Sequence, residues 1–187
     1  MIYNSIADIY EANERALTRL SESVAGLSDG QDTFRPAPEQ WSIAEILEHV
    51  SLVETQVARL LQAVLRKAEA AGVPVRTGDA PFVAVSIKDF VEQAATQKYK
   101  APETAVPTGT VPVADSLSHL NSTRDTLNEL RPVIERMDCT QMRYPHPAFG
   151  PLNLYQWLAF MGVHQSRHRR QIETLKETLN TERGTAS

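Results

Sequence analysis

Four stretches of the chain carry apolar residues at three- and four-residue steps, the repeat of a helix with one buried face, and they leave little room for any other element. The first runs Ile6, Ile9, Ala16, Leu17, Leu20, Val24 and Leu27, ending near Gly30. After a link broken by Pro36 and Pro38, Ser42 and Glu45 make an S-x-x-E capping box, which satisfies backbone N–H groups at a helix start. The second stripe follows as Ile46, His49, Val53, Val57, Leu60 or Leu61, and Val64, ending near Gly72 and Pro74. The third opens near Pro112, which suits a first turn because it has no N–H to leave unpaired. It carries Val113, Leu117, Leu120, Leu127, Ile134 and Met137, with Pro132 placed to bend or shorten it. Asp138 to Pro151 reads as a loop, after which Asn153 caps the last helix with Gln156 three residues on. That helix's stripe is Leu154, Trp157 or Leu158, Met161, His164, His168, Ile172, Leu175 and Leu179. The expected fold is all-α, an antiparallel four-helix bundle.

The link between the second and third helices, Gly72 to Pro112, holds Pro74, Pro81, Pro102, Pro107 and Pro112, and only Ser86 to Gln97 reads as a short helix. So long a crossover inside one domain is unusual, and serves function or packs over the bundle. At 187 residues the chain supports one substantial core. Residues 1–180 read as a single domain and 181–187 as a frayed tail. No internal repeat, Asn-Gly hairpin signal or low-complexity tract interrupts this pattern.

Three of the five histidines fall on the apolar stripes, where a polar side chain most needs a partner. His164 and His168 are spaced i, i+4, so both imidazoles project from one face of the last helix, and His49 sits on the second. Three neutral imidazoles closing one side of a divalent cation, with positions left open, is the arrangement of catalytic metal sites. Spacing alone does not bring the two helices to matching depth, and histidines hydrogen-bonded within a core remain the plainer alternative. His119, without a paired ligand, reads as structural or surface, and His146, in HPAFG, as a turn residue or a neighbour of the site.

The net charge of −4 gives no drive toward nucleic acid. Arg167, Arg169 and Arg170 read as a solvated helix face. Cys139 is the sole cysteine, so no disulfide forms within the chain and a reducing compartment fits. The start, MIYNSIADIYEANERAL, lacks a signal-peptide pattern, and no apolar run approaches the ~18 residues of a membrane span. The expectation is a cytoplasmic protein with a small-molecule partner, no nucleic-acid or membrane partner, and a homodimer as a possible assembly through an apolar helix face.

Two motifs carry a family resemblance. Trp41, Ser42, Glu45 and His49 spell W-S-x-x-E-x-x-x-H, and His164, Arg167, His168 and Gln171 spell H-x-x-R-H-x-x-Q. With the segments Tyr99–Gly109 and His146–Trp157, they resemble the DinB-like (DinB/YfiT) superfamily over nearly the whole chain. The resemblance implies a four-helix bundle whose metal is held by His49, His164 and His168. It also implies a transferase that activates a low-molecular-weight thiol such as mycothiol or bacillithiol, or a metal-dependent hydrolase.

Imidazole donors suit Zn or Ni, with Fe or Mn further options. Glu45, one turn before His49, is a candidate to orient a ligand or accept a proton, although its cap accounts for it. Gln171 is a candidate to touch the rim of the site, and Arg167 to meet an anionic substrate or salt-bridge another helix. Trp41 and Trp157 fit the core or the site mouth. A bundle that binds metal or a small ligand without turnover, in stress response, is the competing reading.

Overall fold

The computed structural model describes residues 2–28, 30–73, 84–88, 91–92 and 99–185. Four helices dominate it: α1 (Ile6–Val24), α2 (Ile43–Ala70), α3 (Val113–Arg136) and α4 (Leu154–Thr185). Two short antiparallel pairs accompany them, β1 (Ile2–Tyr3) with β2 (Val85–Ser86) and β3 (Arg143–His146) with β4 (Gly150–Asn153). The expected bundle is therefore present.

Each of α1, α2 and α4 starts where a side chain takes up orphan N–H groups. Ser5 and Asp8 cap α1 reciprocally, Ser42 and Glu45 cap α2, and Asn153 and Gln156 exchange backbone hydrogen bonds at α4. Pro112 precedes α3 and accepts through its carbonyl from Asp115 and Ser116. Helix α3 continues through Pro132 to Arg136, because the proline forfeits one backbone bond while burial of Ile134 and Met137 holds the turn after it.

The cross-helix contacts fix the helix directions. Asn13 donates to the Leu158 carbonyl, and Lys176 donates to that of Ser23, so α1 and α4 run parallel. Thr55 meets Thr123 and Glu69 meets Arg136, so α2 and α3 run parallel as well. The two pairs oppose each other, since Glu54 faces Gln165 and Tyr10 donates to the Leu127 carbonyl. Parallel neighbours explain the crossover. A helix of 28 residues is about 42 Å long, and the chain must return that distance before α3 can start beside the beginning of α2.

Two apolar clusters fill the interior. One gathers Ile9, Leu61, Leu65, Ile134, Tyr155 and Leu158, and the other Leu20, Ile43, Ile46, Leu47, Leu120 and Ile172. Between them every helix turns polar at about the same level, with Asn13 on α1, Ser51 and Glu54 on α2, Thr123 on α3, and His164, Gln165 and His168 on α4. An apolar core interrupted at one level on all four helices has given up burial energy there.

Four expectations change. Helix α1 stops at Val24 rather than near Gly30, because Gly26 adopts φ 72°, a left-handed conformation that ends a helix. Residues 138–151 are not a plain loop: β3 and β4 pair with Tyr144 opposite Leu152 and His146 opposite Gly150. The signal is Gly150, at φ 71° just past a three-residue turn, a glycine-at-αL hairpin rather than an Asn-Gly one. Helix α4 runs on to Thr185 instead of fraying from 181, since each added residue of an established helix gains a backbone bond. Within the short helix expected at 86–97, Ser86 pairs with Ile2 in a strand, Lys88, Val91 and Glu92 are helical, and 89–90 and 93–98 lie outside the described residues.

Candidate metal centre

His49, His164 and His168 meet at the polar level of the bundle. Their ring centroids stand 4.9 Å (His49–His168), 5.2 Å (His49–His164) and 4.5 Å (His164–His168) apart. One nitrogen from each ring lies within 4.8 Å of the others. Helices α2 and α4 supply the depth match that spacing left open, because they cross in opposite directions at this point.

The rings are set for ligation by what they touch on the far side. His49 Nδ1 stands 2.6 Å from the carbonyl oxygen of Ala105, and a carbonyl can only accept, so Nδ1 carries the proton and Nε2 keeps its lone pair. His168 Nδ1 likewise donates to Gln171 Oε1 at 3.0 Å. His164 is half-buried, yet its Nδ1 is sealed from solvent with no hydrogen-bond partner among the described residues. A buried nitrogen without a partner costs free energy unless something satisfies it.

Burial also holds the three rings neutral, as ligands must be. Desolvation pushes His49 below its ordinary value, with nearby Arg167 acting in the same direction. It pushes His168 down to about 3 and His164 well below its ordinary value, where the neighbouring imidazoles add to the effect. Three neutral imidazoles, with no carboxylate grouped among them in the described residues, fit a divalent metal ion.

The returning crossover is strapped to α2 beside this centre. Gln56 donates to the Thr104 carbonyl, and Glu48 accepts from Thr108 N–H (2.7 Å), Thr108 Oγ1–H (2.8 Å) and Gly109 N–H (2.9 Å). At Gly109, φ is +76° and a Cβ would stand 3.3 Å from Glu45 Oε1, so only glycine lies easily against the helix there. The strap places Ala105 under His49. Glu45 is not free for proton chemistry. Its carboxylate holds Ser42 N–H and the Arg35 guanidinium, and although burial raises its pKa these bonds bring it below the usual value.

The histidines line one wall of a cavity of about 460 Å³. Trp41, Tyr99, Tyr144, Phe149, Trp157 and Phe160 make much of the remainder, with Lys100 and Arg167 among its polar residues. Trp41 packs 4.9 Å from the His49 ring, and Phe160 lies 5.3 Å from His164. The Arg167 guanidinium sits 5.9 Å from the centre of the Tyr99 ring.

Of the candidates named from sequence, the three histidines, Gln171 and Arg167 are brought together, and Glu45 is absorbed in the cap. Cys139 is fully buried away from the cavity and His119 is exposed. Sequence reasoning missed Glu48, the Ala105 carbonyl and the hairpin that carries His146 into the cavity. The run Glu45, Glu48, His49 on a buried face was the available signal for the first, since a buried carboxylate demands donors.

A family model described as DinB superfamily matches residues 12–172. The chain belongs to the DinB superfamily. Among its relatives, the chain is 28% identical over 169 residues to uncharacterized protein YuaE of Bacillus subtilis (strain 168), across 89% of this chain and 96% of that one. The crystal structure of TT2238, a four-helix bundle protein, superposes with a TM-score of 0.59 at 19% identity, over 91% of this chain and 99% of that one. This likeness is one of fold. No helix among the described residues of this DinB-superfamily chain is long and apolar enough to cross a membrane.

Proposed function

We propose that the chain is a metal-dependent transferase in which His49, His164 and His168 hold a divalent cation and a low-molecular-weight thiol is the nucleophile. The observation that carries this reading is a trio of neutral imidazoles in the wall of a largely apolar cavity, with His164 Nδ1 unpartnered. A divalent cation held there supplies Lewis acidity that lowers the pKa of a bound thiol or water toward neutrality.

The chain's own groups divide the remaining work. Ala105 and Gln171 fix two of the rings by their Nδ1 protons. Trp41 and Phe160 exclude water from the histidines, and Arg167 and Lys100 supply positive charge for an anionic group on the thiol or its partner. The transferase reading is preferred over hydrolysis for one reason. No described residue lining the cavity is a carboxylate, so the general base that activates water in metal hydrolases has no counterpart, whereas a thiol needs none once its proton is lost.

Elemental mass spectrometry on protein purified without a metal-affinity tag, beside the three alanine variants, tests the centre. The expected result is about one divalent ion per chain, lost in each variant. Absence of metal after incubation with Zn²⁺ or Ni²⁺ would overturn the proposal. Electrophile turnover that requires added thiol supports the transferase, and turnover without thiol supports the hydrolase. Metal without turnover supports a binding protein.

A further inference from the structure

The β3–β4 hairpin places a fourth histidine in the same cavity, outside the group formed by the other three. His146 is the last residue of β3, paired with Gly150 across the turn. Its Nδ1 accepts from two backbone N–H groups, Ala148 at 3.1 Å and Phe149 at 3.3 Å. A nitrogen that accepts cannot carry the proton, so the neutral ring is the Nε2–H tautomer. The ring is clamped by aromatic neighbours: Phe149 stacks on it at 4.6 Å, Phe160 meets it edge-on at 4.7 Å, and Trp157 lies at 5.0 Å. Trp157 is itself tied back to the hairpin through the Tyr144 carbonyl. Desolvation lowers the His146 pKa to about 4, so the ring stays neutral at physiological pH.

His146 lines the cavity, one nitrogen is committed to the turn, and Nε2 makes no hydrogen bond among the described residues. A clamped N–H donor among the aromatic rings of this wall favours a ligand that can accept from it. We propose that His146 is a specificity-determining residue, whose Nε2–H orients a flat aromatic ligand through a single neutral acceptor such as a carbonyl oxygen. This inference rests on the cavity being the binding pocket of the centre, but it does not require a metal to be bound.

The experiment compares two matched probes, acetophenone and cumene, which share a ring and a shape and differ in the carbonyl. Their dissociation constants are read from tryptophan fluorescence, since Trp41 and Trp157 both line the cavity. Wild-type protein, with EDTA and again with Zn²⁺, should prefer acetophenone by about tenfold, the worth of one hydrogen bond.

Two variants separate recognition from turn stability. His146→Asn keeps an acceptor at the Nδ1 position and loses the Nε2 donor, whereas His146→Gln keeps a donor at the Nε2 position and loses the turn acceptor. The preference should vanish in Asn and persist in Gln, while the melting temperature falls more in Gln. Loss of the preference in Gln with retention in Asn would show a turn role only and overturn the proposal, as would equal binding of the two probes by wild-type protein. Because the EDTA arm is metal-free, failure of the metal centre leaves this result readable.

Discussion

His49 Nδ1 and the carbonyl oxygen of Ala105 stand 2.6 Å apart, 56 residues distant in sequence, and that bond orients the ring toward the other two histidines. It links α2 to the returning crossover. The site is therefore assembled by three segments, although only two of them carry the histidines.

Gln171 holds His168 in the same way from within α4. Gln171→Leu should leave the fold intact and weaken Zn²⁺ binding by roughly 10–100-fold, the usual effect of losing a ligand's outer partner. Competition against a chelating dye measures it. An unchanged affinity would mean that the hydrogen bond does not set the ring.

Glu48 gathers three donors from Thr108 and Gly109. Glu48→Ala strands those donors and releases the strap, at a cost of about 3 kcal/mol in denaturant unfolding. Metal affinity should fall with it, since Ala105 rides on the strap. Loss of stability with full metal affinity would show that Ala105 holds its place without Glu48.

Asn13 and Gly162 lock α1 to α4. Asn13 Oδ1 accepts from Gly162 N–H at 3.1 Å, Asn13 Nδ2 donates to the Leu158 carbonyl at 2.9 Å, and a Cβ on residue 162 would stand 2.5 Å from that Oδ1. Gly162→Ala should destabilise by about 1–2 kcal/mol despite the better helix propensity of alanine, because Asn13 must give up its bonds. In an Asn13→Ala background the same change should be neutral or stabilising. Urea unfolding of the four proteins decides it.

Glu54 is buried with Gln165 as its hydrogen-bond partner, and burial raises its pKa to about 8. The raised value fixes the sign. Between the unfolded value near 4.5 and about 8, the unfolded chain releases this proton and the folded one keeps it, so stability falls as pH rises through that window. Below it the term vanishes. Glu54→Gln keeps an acceptor for Gln165 without the titration, so its melting temperature relative to wild type should rise between about pH 5 and pH 8, by the equivalent of a few kcal/mol. A constant difference would mean that Glu54 is ionised inside the bundle.

Much of the architecture was legible before folding. The stripes on four segments specify helices because period and burial are local properties, and the caps at Ser42 and Asn153 mark their starts because a cap needs only neighbours within one turn. The pair His164 and His168 was legible for the same reason. The hairpin was not, because its glycine acts through a positive φ at Gly150 that composition does not announce.

What the chain alone determined, then, is helix identity, the i, i+4 imidazole pair, and the family motifs that tie His49 to them. The tertiary structure decided that His49 arrives at the same depth, that Ala105 and Glu48 hold the crossover beneath it, and that His146 enters the cavity. The first two depend on groups brought together across 56 or more residues, and the third on a hairpin folding back onto the helix that follows it. For Ala105 and Glu48 the physical cause is that α2 and α3 run parallel. That direction forces a long return path, and the return path crosses the histidines.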